Sequence, residues 1–219
     1  VLDTQARAMK MMERDGVLDR PLEFLPDDEE LADRAAHHQG LTRPEISVLL
    51  PYTKMWLYQK IVDSDLPDDP VMEEDLVTYF PSPIQKTYPD AIKSHKLRRE
   101  IIATVATNSF INRVGASFLT AIMERTGMGP VDVVRAYIVT RTAYDLRSLW
   151  SDIEALDNKV PATTQIAMLE EVGSMMERSV LWLLRNSPAP MKIAETLKAL
   201  APKVAEFNAA FDKVVSPEV

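Results

Sequence analysis

Asn108 and Asn112 lie four residues apart in the stretch LRREIIATVATNSFINRVGASFL, which runs from Leu97 to Leu119. At about 100° per residue, Leu97, Ile101, Val105, Gly115, Leu119 and Met123 fall on one helical stripe, with both asparagines in its middle. Each amide offers donors and an acceptor, so the pair either satisfies the backbone of a neighbouring helix end or meets a ligand. Buried amides are usually paired within the protein or with water, which favours the first reading. Gly115, one turn on, would let another helix approach closely.

A basic cluster precedes this pair: Lys93, His95, Lys96, Arg98 and Arg99. Lys96, Arg98 and Arg99 could receive a phosphate, a carboxylate or an acidic neighbouring domain. A solvated or interdomain charged face is the plainer alternative and is preferred. Asp63, Asp65 and Glu74 occupy positions 1, 3 and 12 of a calcium-loop template, but Pro67 and Asp68 stand at positions 5 and 6, where the loop needs a ligand and a glycine. The stretch is read as a solvated acidic turn. His37 and His38 are adjacent, point about 100° apart on a helix and do not form a metal clamp; a favourable charge near a helix C-terminus suits them better. GMGPVD lacks the third glycine of a dinucleotide fingerprint and follows no strand pattern. No serine elbow or carboxylate–histidine constellation occurs. The sequence therefore offers no catalytic, cofactor-binding or metal-binding residue.

These residues need elements to hold them, and the apolar spacing is 3 and 4 almost throughout, which predicts an all-α protein. The expected architecture is a multi-helix bundle with two long helices and several short, proline-punctuated ones. A first helix over Asp3 to Arg14 stops near Gly16, and a second ends at Gly40. Thr42 and Glu45 have capping-box spacing, with Pro44 in the first turn and Pro51 placed to bend the helix that follows. Short helices are expected over Glu73 to Tyr79 and Pro83 to Tyr88. Asp90 to Gly127 then reads as one long kinked helix or two shorter ones, and Pro130 to Asp145 as another. In the helix over Thr163 to Asn186, Ile166, Leu169, Gly173, Met176, Val180 and Leu183 form a seam for a neighbour, which Gly173 would let come close. Two short helices divided at Pro202 close the chain. Trp56, Trp150 and Trp182 are expected as core or interface anchors. Residues 1–68 are read as a helical segment continuing an upstream domain, and 69–219 as a C-terminal helical bundle.

The 219 residues are 46% hydrophobic, enough to bury a core, and contain no cysteine, so thiol and disulfide chemistry is excluded. The net charge of −8 and a pI near 5.0 argue against nucleic acid as a partner. The longest uncharged run, Ile101 to Asn112, is shorter than the roughly 20 residues of a membrane span. No targeting segment and a cytoplasmic location are expected. Val1 falls inside a helical pattern, so the sequence reads as an excerpt of a longer chain.

Three long strings, GLTRPEISVLLPYTKMWLYQKIVDSDLPDDP, YFPSPIQKTYPDAIKSHKLRREIIATVATNSFINRVG and LWSDIEALDNKVPATTQIAMLEE, resemble the C-terminal helical region of the large bacterial NAD-specific glutamate dehydrogenases. The resemblance runs from Leu18 to about Pro188. It implies a parent enzyme that oxidises L-glutamate to 2-oxoglutarate and ammonium with hydride transfer to NAD. The catalytic lysine and the NAD-binding fold would lie upstream, so no catalytic or cofactor residue is carried over. A structural, assembly or regulatory role is implied, with the chain's own upstream catalytic domain as partner within a homo-oligomer. The alternative is a free-standing helical interaction or effector-sensing module without enzyme activity.

Overall fold

A computed structural model describes residues 1–214, with side chains through residue 210. Every regular element among the described residues is helical, as the spacing requires. The chain divides into two compact units, Val1–Val131 and Asp132–Val219. The division after residue 68 anticipated from sequence falls inside the first of these.

In the first unit, α1 (Leu2–Arg14) ends before Gly16, whose φ of +71° turns the chain out of the helix. α2 (Asp28–Ala36) starts where the Asp27 carboxylate accepts the Glu30 amide, and it stops at His37, earlier than Gly40. His37 caps this end, with Nδ1 2.9 Å from the Asp33 carbonyl. α3 (Arg43–Val62) opens with the expected capping box of Thr42 and Glu45 and continues through Pro51. Two 3₁₀ turns, Leu66–Asp68 and Pro70–Met72, lead to α4 (Glu73–Tyr79). α5 (Ser82–Thr87) and α6 (Pro89–Lys93) follow, each with proline in its first turn. α7 (Arg98–Val114) packs against α3 and α4, while α8 (Ala116–Thr126) packs on α1.

The stretch from Asp90 to Gly127 is thus broken twice, and Gly115 makes the second break. Its φ is +81°, and a Cβ added there would meet nothing within 4 Å. Gly115 is a hinge in the backbone and not a point of close helix approach. The stripe predicted around Asn108 is also displaced. α7 buries Ile102, Ala103, Ala106, Thr107, Phe110 and Ile111, roughly half a turn away from the asparagines. Leu97, at the helix start, is 54% exposed. Alanine and threonine make up half of this buried face, so a search for large apolar residues alone does not trace it.

In the second unit, α9 (Pro130–Ala143) is buried at every position from Val133 to Arg141, as expected of a central helix covered on all sides. α10 (Leu146–Glu154) packs on α11 (Ala162–Asn186). The predicted seam of α11 is buried only in its C-terminal half: Met176, Val180 and Leu183 are covered, whereas Ile166 is 54% exposed. A Cβ at Gly173 would meet no atom within 4 Å, so no helix lies close there. α12 (Ile193–Val214) runs unbroken through Pro202 instead of dividing there. Proline removes one helical bond and bends the axis, and a helix survives that when both flanks keep packing. Here Leu197, Leu200 and Val204 provide the flanks.

Candidate functional site

Four of the five site residues singled out by sequence, Arg98, Arg99, Asn108 and Asn112, share α7, and the groove between α7 and α3 shows what they do. At its end the Arg99 guanidinium donates from Nη2 to the carbonyls of Val62 and Ser64, both at 2.8 Å. These carbonyls lie at the C-terminus of α3, where helix carbonyls lack partners and the helix dipole favours a cation. Arg99 also donates to Asp68 through Nη1, and Arg98 reaches the same carboxylate at 3.4 Å. Lys93 pairs with Glu73 at 2.7 Å, which raises the lysine above its ordinary range. The basic cluster is largely spent on fastening helix ends, and Lys96 alone of the proposed anion-binding trio stands exposed and outside the clamp.

Midway along the groove a hollow of about 380 Å³ is lined by Lys54, Met55, Tyr58 and Gln59 of α3 and by Thr104, Thr107 and Asn108 of α7. An ammonium, amides and hydroxyls together suit a carboxylate or another small polar group. Gln59 already donates to Asp63 at 2.8 Å. The Thr107 hydroxyl is buried without a hydrogen-bond partner. Asn108 is half-buried at the hollow, whereas Asn112 is exposed and outside its lining. Among the described residues neither asparagine side chain makes a hydrogen bond, so the structure does not join them in one polar network.

The acidic turn is absorbed by local structure. Asp63 ends α3, Pro67 is buried in a 3₁₀ turn, and Asp69 accepts the Val71 amide at 3.0 Å. Asp75 is buried. Among the described residues no cluster of histidine, aspartate and glutamate could hold a metal ion.

Sequence reading missed the ties that hold the first unit together. Glu45 receives Arg34 of α2 in a two-pronged pair, 2.7 and 2.9 Å, while its carboxylate also accepts the Thr42 amide at 2.6 Å. The Arg34 guanidinium, followed by the Thr42 backbone, holds the Glu45 carboxyl down at about 2. Asp15 accepts the Trp56 indole N–H at 2.8 Å and pairs with Lys60 at 3.0 Å, and these contacts lower its carboxyl below the usual range. Arg20 binds Glu13 and Asp28. The capping-box spacing marked Glu45, but nothing in it pointed to Arg34, eleven residues earlier. In α9, Arg135 and Arg141 are buried and engaged by other groups, and the Arg141 guanidinium lies 5.9 Å from the Tyr137 ring centre. Two arginines within an otherwise apolar helical run were the available signal for that network.

Residues 38–219 match the family model described as "Glutamate dehydrogenase, C-terminal". Among curated proteins, the NAD-specific glutamate dehydrogenase of Halomonas elongata is 40% identical over 92% of this chain and 12% of its own length. That of Pseudomonas aeruginosa is 36% identical over 95% of the chain and 13% of its own length. The Mycobacterium tuberculosis enzyme of the same name is 29% identical over 98% and 14%. The chain therefore spans about an eighth of the length of these relatives.

Proposed function

Because the chain belongs to the C-terminal region of the NAD-specific glutamate dehydrogenase family, we propose that it is the non-catalytic helical part of an enzyme converting L-glutamate, NAD and water to 2-oxoglutarate, ammonium and NADH. In this reading glutamate and NAD are handled by an upstream catalytic domain, which is this region's partner within a homo-oligomer in the cytoplasm. The observation that carries it is where the charged side chains go. In the first unit Arg99, Arg34, Glu45, Arg20 and Asp15, groups with the chemistry to bind or transform a substrate, are instead fastened across helix ends. No described helix is long and apolar enough to cross a membrane.

Removing this region from the full-length enzyme should abolish normal assembly or solubility before it alters active-site chemistry. Light scattering with a parallel glutamate oxidation assay tests this; a truncated enzyme of normal mass and activity would overturn the reading. Calorimetric titration of the 219-residue chain with NAD should show no binding in the micromolar range. The effector-sensing alternative gains support from one feature, the polar hollow at Asn108. It predicts that Lys54→Ala changes the enzyme's response to small carboxylates while its assembly stays normal.

A further inference from the structure

Trp182 differs from the other tryptophans: it is 57% exposed, against 3% for Trp56 and 5% for Trp150. On α11, Arg178 lies one turn before it and Arg185 one turn after it, both exposed. Spacings of four and three place all three on one helical face. Among the described residues neither arginine has an ion-pair partner, although the chain as a whole carries a net charge of −8. Beside the indole is a hollow of about 420 Å³ lined by Tyr144, Arg178, Ser179, Trp182, Leu183 and Leu200. Tryptophan, tyrosine and arginine around a pocket form the composition that dominates interface hot spots, where an anchor side chain fills a cavity and charges at its rim set specificity.

We infer that this face of α11 docks an acidic segment of a separate partner protein, which seats one apolar side chain in the hollow and sets its carboxylates on Arg178 and Arg185. Charge complementarity selects this occupant. Two guanidiniums without carboxylate partners among the described residues are ready for two-pronged pairing, and the exposed indole gains by losing water only if an apolar group covers it. The inference does not depend on the enzyme reading above.

The test uses the full-length protein that contains this chain and a fluorescent peptide with one phenylalanine flanked by glutamates, followed by anisotropy. The peptide should bind, and the same peptide with lysine flanks should not. Arg178→Glu combined with Arg185→Glu should weaken binding by about tenfold or more, and Trp182→Ala should do the same. All three side chains are exposed, so circular dichroism of the variants should match the parent. Equal binding of the lysine-flanked peptide, or no loss in the charge-reversed variant, overturns the inference. If the acidic peptide does not bind, oxidative footprinting of Trp182 shows what the face meets instead. Protection that charge reversal relieves means an acidic segment of the protein itself already occupies the site, and this overturns the assignment to a separate partner. An unprotected Trp182, or protection indifferent to the arginines, overturns it; in the latter case a mass change in Trp182→Ala by light scattering would assign the face to a second copy.

Discussion

Helices α3 and α11 each carry a tryptophan in similar apolar surroundings, yet the two side chains meet opposite fates. Trp56 is closed in the first unit, its indole N–H satisfied by Asp15 from just beyond α1 and its ring beneath Lys60, whose ammonium lies 5.2 Å from the ring centre. Trp182 in the second unit is open, next to a hollow and two exposed arginines. An indole buries well when a partner takes its N–H. For Trp56 that partner comes from a residue 41 positions away, beyond the reach of any local pattern. Around Trp56 the first unit spends its polar side chains internally, whereas this face of the second keeps its own available.

The largest expected effect tests that contrast. Trp56→Ala should cost about 3–5 kcal/mol in urea unfolding, because it leaves a cavity and strips Asp15 of its indole donor, leaving Lys60 alone. Trp182→Ala should stay within about 0.5 kcal/mol of the parent. Equal losses would mean that Trp182 is as structural as Trp56 and that the two faces are not different in kind.

Next in size is the tie between α2 and α3. The Glu45 carboxyl is held at about 2 in the folded chain, below an ordinary value of 4.5. A depressed folded value means that the stabilisation is complete above the ordinary value and is lost as pH falls through the folded one. Glu45→Gln should therefore reduce unfolding free energy by about 3 kcal/mol at neutral pH, on the scale of about 1.36 kcal/mol per pKa unit. The gap between variant and parent should shrink below pH 4.5 and close near pH 2. Urea titrations at stepped pH measure it, and a gap independent of pH would show that Arg34 does not single out the ionised carboxylate.

Much of the fold could be read from local rules. The start of α3 followed from Thr42, Pro44 and Glu45, and the stops before Gly16 and Gly127 from residues that tolerate positive φ. Other features depended on what lay across the groove. The buried face of α7, which α3 and α4 pack against, includes Ala103, Ala106 and Thr107, whose small size hid them from a search for large apolar residues. Pro202 did not end α12, in which Leu200 before the proline is half-buried and Val204 after it is buried. For the candidate site, Asn108 was found by its type and spacing, but Lys54, Tyr58 and Gln59 come from a helix about fifty positions earlier, and no one-dimensional period joins them.

Arg99 sharpens the contrast from inside the basic cluster. If its role is to close the end of α3, Arg99→Ala should cost about 1–2 kcal/mol by freeing the Val62 and Ser64 carbonyls. Arg99→Lys should recover only part of this, since an ammonium lacks the planar fork that reaches both carbonyls and Asp68. Lys96→Ala, one turn earlier and exposed, should leave the urea midpoint where it was. A full rescue by lysine would reduce Arg99 to a point charge and reopen the cluster as an anion site.

The smallest effects are expected at the two asparagines. Had they formed one buried network, each alanine variant would strand a partner, and the double variant would cost less than the sum of the singles. The structure sets them on the face of α7 away from its core, with Asn112 exposed and Asn108 at the rim of the polar hollow. Asn112→Ala should therefore stay within about 0.5 kcal/mol of the parent, and Asn108→Ala should cost less than about 1 kcal/mol. The double variant should equal their sum, because side chains without a shared partner do not couple. Urea midpoints of the three variants decide between the two arrangements. Subadditive losses above about 1 kcal/mol would restore the network. Additive, near-zero losses leave Asn108 free of a stability role, and its amide is then available to whatever enters the hollow beside Lys54.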